Sequence, residues 1–416
     1  MLSRIPVVLT LIALPLFAAT LPTASPEQVG MSQERLKQVT ALADRHIAAG
    51  DIAGSVSLIA RKGKIVHLEA RGLMDLDSKK PMQTNSVFAL ASMTKPVTSI
   101  AVMMLMEQGA FVLSDPISKF LPEFKNPKVA IANAPNERFP NGYKLVAANR
   151  EITIHDLLTQ TAGLASGTSG PTMDLYAKLN AARTREESLQ QYIIRLAALP
   201  LNFQPGSAWE YGPATDVLGR LVEVVSKESL DQFFKNHIFT PLGMKDTHFN
   251  LPDSLKSQSA TVYTKSEAGL KTVVPITQVN RNAQYFSGGG GLVGTAEDYL
   301  RFAQMLLNGG QLDGKRLVSR KTIESMTSNH IGRFPLWEDT LRGYRFGLGF
   351  RVRESNGEAP ALGSVGSFGW GGAFGTYFWV DPKEEMIGIL MLQLIPYAHL
   401  NYRFEFQNVA TQAIIN

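Results

Sequence analysis

One serine and one lysine have the spacing used for covalent catalysis, and both lie where a long apolar helix begins. Ser92 and Lys95 belong to the stretch Ser92-Met93-Thr94-Lys95, the only Ser-x-x-Lys pattern in the chain. Residues three apart share one face of a helix, so the hydroxyl and the amine can come within hydrogen-bonding distance. A lysine in apolar surroundings can act as a base, because burial disfavours the charged ammonium. The pattern therefore predicts a nucleophilic Ser92 activated by Lys95.

The same two residues have a simpler interpretation. Ser92 could be only the N-terminal cap of the helix, with Lys95 a solvated residue of the first turn. In either case, a helix that opens at the serine places free backbone N–H groups and the positive end of the helix dipole beside it. This predicts that the Ser92 N–H is one donor of an oxyanion hole. Residues elsewhere in the chain must decide between a nucleophile and a cap.

The composition is that of a globular protein. The chain has 416 residues, of which 44% are hydrophobic, and this suggests one large domain or two intertwined ones. The formal charge of +5 comes from scattered Lys and Arg without a basic run, so we expect no nucleic-acid partner. The chain has no cysteine, which excludes thiol catalysis, disulfides and lipid attachment at an N-terminal cysteine.

Residues 1–24 have the pattern of an export signal. Arg4 supplies the positive start, residues 5–17 the apolar stretch, and Ala18-Ala19-Thr20 or Pro22-Thr23-Ala24 the small-residue exit. The apolar stretch is short for a bilayer span, so we predict a cleaved signal, with an uncleaved anchor as the alternative. We expect a periplasmic or secreted protein with no stable insertion in a membrane.

Strand-like segments flank a helical middle. An amphipathic helix and a β-hairpin over residues 54–70 come before the helix that opens at Ser92. The chain from about 101 to 285 is helical and rich in loops, and apolar strand-like segments dominate between 344 and 392. A doubly wound parallel sheet is excluded, because strands and helices do not alternate throughout.

This order predicts a discontinuous domain. We expect residues 25–100 and 286–416 to form one α/β (α+β) sheet domain, completed by the C-terminus. Residues 101–285 then form an inserted, mainly helical domain. The four glycines Gly288 to Gly291 have no preceding strand and no lysine, so they predict a flexible turn near the site.

Two further stretches complete a recognisable set of motifs. They are Tyr211-Gly212-Pro213 and Gly369-Trp370-Gly371-Gly372-Ala373-Phe374-Gly375. With Ser92-Met93-Thr94-Lys95, they make the chain resemble the class C β-lactamase-like serine hydrolases, and most closely the family VIII carboxylesterases. The resemblance extends over nearly the whole chain after the signal. It implies a serine β-lactamase/penicillin-binding-protein-like fold, in which an antiparallel sheet flanked by helices carries an inserted, mainly helical domain.

The resemblance assigns a second base to the site. Tyr211 would pair with Lys95 to take the Ser92 proton and later relay it to the leaving group. Pro213 departs from the family pattern, which has an asparagine or small polar residue there, so recognition of a substrate amide is in doubt. Tyr285-Phe286-Ser287 has the same spacing and is a rival to Tyr211. The simplest alternative makes Tyr211 a buried aromatic residue with a bonded hydroxyl.

The glycine-rich stretch stands where β-lactamases carry Lys-Thr-Gly. By resemblance, Gly371 and Gly372 let the backbone approach the substrate, and the Ala373 N–H is the second oxyanion donor beside the Ser92 N–H. Trp370 brings an apolar wall in place of a cation. In the alternative interpretation Trp370 only packs on the sheet.

We therefore predict a serine hydrolase, most simply a carboxylesterase for short-chain esters that forms an acyl-enzyme on Ser92. A β-lactamase or a D-alanyl-D-alanine carboxypeptidase is the alternative within the same fold, and a non-catalytic cell-wall or penicillin-binding protein is the alternative of another class. The expected partner is a small ester, possibly a β-lactam, with no cofactor and no metal. His155, His237 and His248 are interpreted as structural or solvated.

Overall fold

The structure is a computed structural model. It describes residues 20–134, 137, 141–184, 186–275, 284–336, 341–397 and 400–416. Most of the predicted export signal, residues 1–19, lies outside the described residues.

An eight-stranded antiparallel sheet forms the centre of the fold, and its strands come from both ends of the chain. The described strands are β1 (Gly54–Arg61), β2 (Lys64–Asp75), β3 (Lys80–Pro81), β4 (Phe88–Ala89), β5 (Lys128–Ala132), β6 (Tyr143–Ala147), β7 (Thr261–Ser266), β8 (Gly269–Pro275), β9 (Val293–Gly294), β10 (Gln311–Leu312), β11 (Lys315–Arg316), β12 (Tyr344–Phe346), β13 (Arg351–Arg353), β14 (Phe368–Gly371), β15 (Tyr377–Asp381) and β16 (Met386–Met391). The large sheet has the order β12-β13-β14-β15-β16-β1-β2-β3. The first and last strands of the chain thus pair with each other, with Val56 opposite Met391.

Helices lie on both faces of this sheet. Several more are formed by the middle part of the chain. The described α-helices are α1 (Gln33–Ala48), α2 (Thr94–Glu107), α3 (Ile154–Leu158), α4 (Met173–Ala181), α5 (Leu189–Ala197), α6 (Ala214–Ser226), α7 (Leu230–Phe234), α8 (Thr240–Leu242), α9 (Ala296–Leu307), α10 (Arg320–Met326) and α11 (Tyr402–Thr411). A π-helical turn, Lys235–Phe239, joins α7 to α8. The predicted antiparallel sheet flanked by helices is confirmed.

The two faces of the sheet bury two separate cores. On one face, α1 and α11 pack against Tyr377, Trp379 and Leu390. On the other face, α2 packs in the main core with Phe378 and Ile389. Because side chains alternate along a strand, neighbours such as Tyr377 and Phe378 belong to opposite cores. Strands buried on both faces are continuous apolar runs, and β16 (Met386–Met391) is an example.

Helix α2 is buried along most of its length, from Thr94 to Leu105. This explains why its sequence is apolar all round and not on one stripe only. The region between α2 and α9 holds the remaining helices together with two small hairpins, β5 with β6 and β7 with β8. No helix of the described residues combines the length and apolar character that a membrane crossing requires.

Candidate active site

A strained turn presents Ser92 at the start of α2. The short strand β4 pairs with β9, and the chain then makes a 3-10 turn, Ala91–Met93, that leads directly into the helix. Ala91 has φ +47°, a left-handed conformation that costs a residue with a Cβ free energy. The turn leaves the Ser92 N–H without a backbone acceptor among the described residues. It is therefore free to serve as a donor to a substrate oxygen.

The Ser92 and Lys95 side chains are in contact. Lys95 Nζ donates to Ser92 Oγ at 3.2 Å and to the Gly289 carbonyl oxygen at 2.7 Å. Lys95 is buried, whereas Ser92 is half-buried. The residue in the cap position of α2 is Met93, without a side-chain capping bond. The capping interpretation is therefore wrong for both residues, since Ser92 does not cap the helix and Lys95 is not solvated.

The four-glycine loop supplies the second partner of Lys95, which sequence reasoning missed. Asp216 Oδ1 accepts hydrogen bonds from the Ser287 hydroxyl at 2.7 Å and from the Gly289 N–H at 3.1 Å. Thr98 Oγ1, one turn after Lys95 on α2, donates to the Gly288 carbonyl oxygen at 2.7 Å. These bonds hold the Gly289 carbonyl toward Lys95. The loop lies near the site as predicted, but it is tied to α2 and α6.

Tyr211 lies beside Lys95 and is held by a tryptophan. Lys95 Nζ lies 4.5 Å from the centre of the Tyr211 ring. Trp370 Nε1 donates to the Tyr211 hydroxyl oxygen at 3.3 Å. The chain turns into α6 immediately after Tyr211, and Pro213 occupies the cap position of this helix. This position accounts for the Pro213 departure, because proline is compatible with the start of a helix and has no N–H to leave unpaired.

The rival tyrosine, Tyr285, lies in another environment. Its ring packs edge-on against Tyr192 with centroids 5.2 Å apart, and the Arg183 guanidinium stacks over it at 3.9 Å. Burial raises the pKa of Tyr285 well above its ordinary value. Tyr285 is not among the described residues that line the cavity of Ser92, whereas Tyr211 is. The geometry thus brings Tyr211, and not Tyr285, to Ser92.

The glycine-rich stretch ends β14 and turns tightly against the strand that precedes Ser92. Gly372 N–H donates to the Thr376 carbonyl at 2.8 Å, and Thr376 Oγ1 donates to the Leu90 carbonyl at 3.1 Å. A Cβ at Gly372 would overlap Thr376 Oγ1 and the Leu90 carbonyl oxygen, so only glycine fits there. Ala373 is exposed, and its N–H has no backbone acceptor among the described residues.

Trp370 is buried and belongs to the wall of the cavity. It is 4% exposed, and its ring packs against Tyr211 at 5.4 Å and edge-on against Phe346 at 5.2 Å. Its ring contributes apolar surface to the lining of the cavity. The indole N–H adds a contact that the sequence did not reveal, because it ties the phenol of Tyr211 to β14.

Ser92 opens into a cavity of about 400 Å³. The predicted residues Tyr211, Trp370, Gly371, Gly372 and Ala373 line it. Residues that the sequence analysis did not select line the remainder: Leu341, Arg351, Tyr377, Tyr397, Leu400, Asn401, Arg403 and Phe404. They come from two C-terminal strands, from the first turn of α11 and from the segments just before β12 and before α11, and no local motif marks them.

The histidines lie elsewhere in the described structure. His155 contacts His330 at 3.1 Å, and His237 contacts Glu228 at 2.7 Å. His248 lies half-buried near Lys235, and burial lowers its pKa. Within the described residues, no three His, Asp or Glu side chains come together in a way that could hold a metal ion.

Comparison with known proteins places the chain in a family. A family model described as Beta-lactamase matches residues 39–404. Protein Rv1367c of Mycobacterium tuberculosis is 34% identical over 366 residues, which cover 84% of this chain and 87% of the relative. Esterase EstB of Burkholderia gladioli is 28% identical over 375 residues, which cover 86% and 89% of the two chains.

A solved structure agrees with this assignment. EstCE1, described as a hydrolase with promiscuous acyltransferase activity, matches with a TM-score of 0.76 at 28% identity over 92% of this chain and 99% of its own. The fold is thus the penicillin-binding-protein/β-lactamase-like fold that the motifs implied. Because the family model matches most of the chain, from residue 39 to residue 404, this protein is a hydrolase of the beta-lactamase family.

Proposed function

We propose that this protein is a carboxylesterase that hydrolyses short-chain esters through an acyl-enzyme on Ser92. The observation that carries the proposal is the 3.2 Å contact of Ser92 Oγ with buried Lys95 Nζ at the mouth of a small cavity. A hydroxyl and an amine in contact at a helix start provide a nucleophile, a base and an oxyanion donor together. Esterase EstB, similar to this chain along most of its length, supports the ester as substrate, and EstCE1, similar over 92% of the chain, supports a hydrolase.

Acylation begins when Ser92 Oγ attacks the ester carbonyl carbon. Lys95 Nζ takes the hydroxyl proton as the general base, and the Gly289 carbonyl orients the amine by accepting one of its N–H groups. The negative oxygen of the tetrahedral intermediate is stabilised by the N–H groups of Ser92 and Ala373, which have no competing backbone acceptor in the described chain. The carbon–oxygen bond to the alcohol then breaks, and the alcohol leaves with a proton relayed through Tyr211.

Deacylation follows the acylation steps in reverse, with water in place of the alcohol. Water attacks the acyl carbon and gives its proton to the Lys95 and Tyr211 pair, and Ser92 Oγ leaves as the hydroxyl. The carboxylic acid is released. In this scheme Trp370 is a positioning residue, because its N–H donates to the Tyr211 oxygen and so holds the phenol in place.

Two departures favour an ester over a β-lactam. Trp370 stands where β-lactamases carry a cation, and Pro213 offers no side-chain amide. Each missing contact is worth roughly 1 to 3 kcal/mol, so together they weaken turnover of a penicillin by about 10² to 10⁴ in specificity constant. The second candidate, a β-lactamase, is favoured by the cations Arg351 and Arg403 in the same cavity, which could hold a β-lactam carboxylate.

Steady-state kinetics on one preparation tests the proposal. We expect kcat/KM for p-nitrophenyl butyrate to exceed that for benzylpenicillin by about 10² or more. The ester has neither a carboxylate nor a side-chain amide, so it loses nothing from the two missing contacts. A value for benzylpenicillin equal to or above the ester value would favour the β-lactamase. Hydrolysis of neither class would favour a non-catalytic binding protein.

A further inference from the structure

We propose that Gln160 is a positioning residue that holds Tyr211 in place for the proton relay. This proposal rests on the proposed esterase function, in which Tyr211 passes a proton to the leaving alcohol. Gln160 is 2% exposed and is not among the described residues that line the cavity of Ser92. It therefore acts on the reaction only through the residues that it holds.

Gln160 makes hydrogen bonds to the chain on both sides of Tyr211. The Glu210 N–H donates to the Gln160 carbonyl oxygen at 3.0 Å, and the Gly212 N–H donates to Gln160 Oε1 at 3.0 Å. A Cβ at Gly212 would overlap the Leu164 carbonyl oxygen, so this turn packs directly on the segment that follows Gln160. Because Glu210 and Gly212 are the chain neighbours of Tyr211, the two bonds fix the backbone from which the phenol projects.

The same side-chain amide reaches the first turn of α6. Gln160 Nε2 donates to the hydroxyl of buried Thr215 at 3.1 Å. The next residue, Asp216, accepts the Gly289 N–H at 3.1 Å, and the Gly289 carbonyl accepts a hydrogen bond from Lys95. One helical turn is thus connected to Gln160 on one side and, through the glycine loop, to the lysine base on the other.

The backbone of Gln160 has a conformation that usually belongs to glycine. Gln160 follows the last turn of α3 and has φ +61°. Its N–H donates to the Leu157 carbonyl, and the Thr161 N–H donates to the Asp156 carbonyl. This pair of bonds is the Schellman motif, which ends many helices and most often has glycine at this position. A glycine would end α3 with less strain, so the helix end does not explain a glutamine here, whereas the two bonds of its side chain do.

A displaced phenol would slow the proton relay. The Tyr211 oxygen must lie within hydrogen-bond reach of the groups that exchange the proton, and a misplacement of about 1 Å can cost about 10²-fold in rate. The Trp370 N–H holds the hydroxyl end of Tyr211, and Gln160 holds its backbone end. Loss of the Gln160 contacts should therefore lower kcat and leave substrate binding nearly unchanged.

The variant Gln160→Met tests the proposal, because methionine has a similar length and makes neither side-chain hydrogen bond. We expect kcat for p-nitrophenyl butyrate to fall about tenfold to hundredfold, with KM within about threefold of the parent value. Titration of the active serine with a fluorophosphonate expresses kcat per active enzyme. Gln304→Met is the matched control, because Gln304 is 4% exposed, lies on α9 and does not line the cavity.

A double-mutant cycle with Tyr211→Phe separates positioning from a general loss of structure. If Gln160 acts through the Tyr211 hydroxyl, Gln160→Met should lower kcat by less than about threefold once that hydroxyl is absent. A merely structural role would lower kcat by the same factor in both backgrounds. If Gln160→Met does not fold, Gln160→Gly takes its place in the cycle, since glycine fits the left-handed backbone and also lacks the amide.

Four results would overturn the proposal. Two concern Gln160→Met itself, namely a kcat within about threefold of the parent and an equal loss in the parent and Tyr211→Phe backgrounds. The others are a Gln304→Met loss as large as that of Gln160→Met and a Tyr211→Phe enzyme as active as the parent. In all four cases the parent still hydrolyses the ester, so the esterase function stands. If the parent hydrolyses no p-nitrophenyl ester, both the esterase function and the role of Gln160 are wrong.

Discussion

The chemistry that we propose for Ser92 depends on the surroundings of Lys95 and Tyr211. Lys95 is 6% exposed and has the Ser92 hydroxyl and the Gly289 carbonyl as hydrogen-bond partners. Neither partner carries a formal charge, so neither of these two contacts is an ion pair. The indole of Trp370 orients Tyr211 from the other side. A base that must release and regain a proton needs such an environment.

At this scale we predict that Lys95→Arg lowers kcat for p-nitrophenyl butyrate by roughly 10² to 10⁴, the usual contribution of a general base. Arginine keeps the positive charge but cannot give up its proton at working pH. Lys37→Arg is the control, since Lys37 lies on the surface of α1 with its side chain 66% exposed. A Lys95→Arg enzyme within threefold of the parent would show that Lys95 is not the base.

The serine and lysine motif could be read from the sequence, because both residues lie in one helical turn. The Gly289 carbonyl, Asp216 and the arginines of the cavity could not. They approach the site through tertiary packing, with Lys95 and Gly289 separated by 194 positions. The sequence around each of them predicts only a turn, a helix or a strand.

At the scale of elements, the site is formed where β14 ends against the turn before α2. Thr376 Oγ1 bonds to the Leu90 carbonyl and links the turn carrying Ala373 to the segment carrying Ser92. The two oxyanion donors that we propose therefore sit on two elements joined by this contact. Gly372 allows the close approach because it has no Cβ.

We predict that Gly372→Ala lowers kcat by about 10², since a displaced turn removes one oxyanion donor. We expect Gly372→Ala to lower the melting temperature by less than a substitution that disrupts the hydrophobic core. Gly357→Ala is the matched control, because a Cβ at Gly357 meets no atom within 4 Å. Equal kcat values for the two variants would contradict the proposed role of this turn.

Long secondary-structure elements could be predicted from the sequence, and short ones could not. The hairpin expected over 54–70 is present as β1 and β2, because both strands are long and the turn between them is short. Strands β5 and β6 lie within the stretch expected to be mainly helical. Each has five residues with mixed exposure, so the alternation is too short to identify from sequence. The domain limits 25–100, 101–285 and 286–416 remain a prediction.

At the scale of the whole molecule, one buried acid should make stability depend on pH. Burial raises the pKa of Asp298 to about 6, although Thr247 Oγ1 and the Asp246 N–H each donate to its carboxylate at 2.8 Å. A carboxyl with a raised folded-state pKa holds its proton more strongly in the folded than in the unfolded state. Its contribution is therefore present below the unfolded pKa near 4 and is lost as pH rises through 6.

We predict that Asp298→Asn removes this dependence, because the amide keeps an acceptor oxygen and cannot ionise. Between pH 4 and pH 7 the parent should lose up to about 3 kcal/mol more of unfolding free energy than the variant. Urea unfolding at both pH values measures the difference. Parallel pH profiles for the two proteins would refute the assignment.

We propose that the protein is exported and that its signal is cleaved before Leu21. Leu21 is 7% exposed, and the next residues bond to β2 through Ala24 N–H to the Ile65 carbonyl at 3.0 Å and Ile65 N–H to the Pro22 carbonyl at 2.8 Å. Cleavage after Ala24 would remove this docked segment. N-terminal sequencing of the protein from the periplasm or medium should therefore begin at or before Leu21, and a start at Ser25 would contradict this prediction.

The central claim is that Ser92 is the nucleophile, and labelling with a fluorophosphonate tests it most directly. The reagent forms a stable bond with an activated serine, so intact mass should show one adduct and peptide mapping should place it on Ser92. The Ser92→Ala variant should take up no label and should lose kcat by about 10⁶ with an unchanged fold. An adduct on another residue with Ser92 unmodified, or a Ser92→Ala enzyme within tenfold of the parent, would contradict the account.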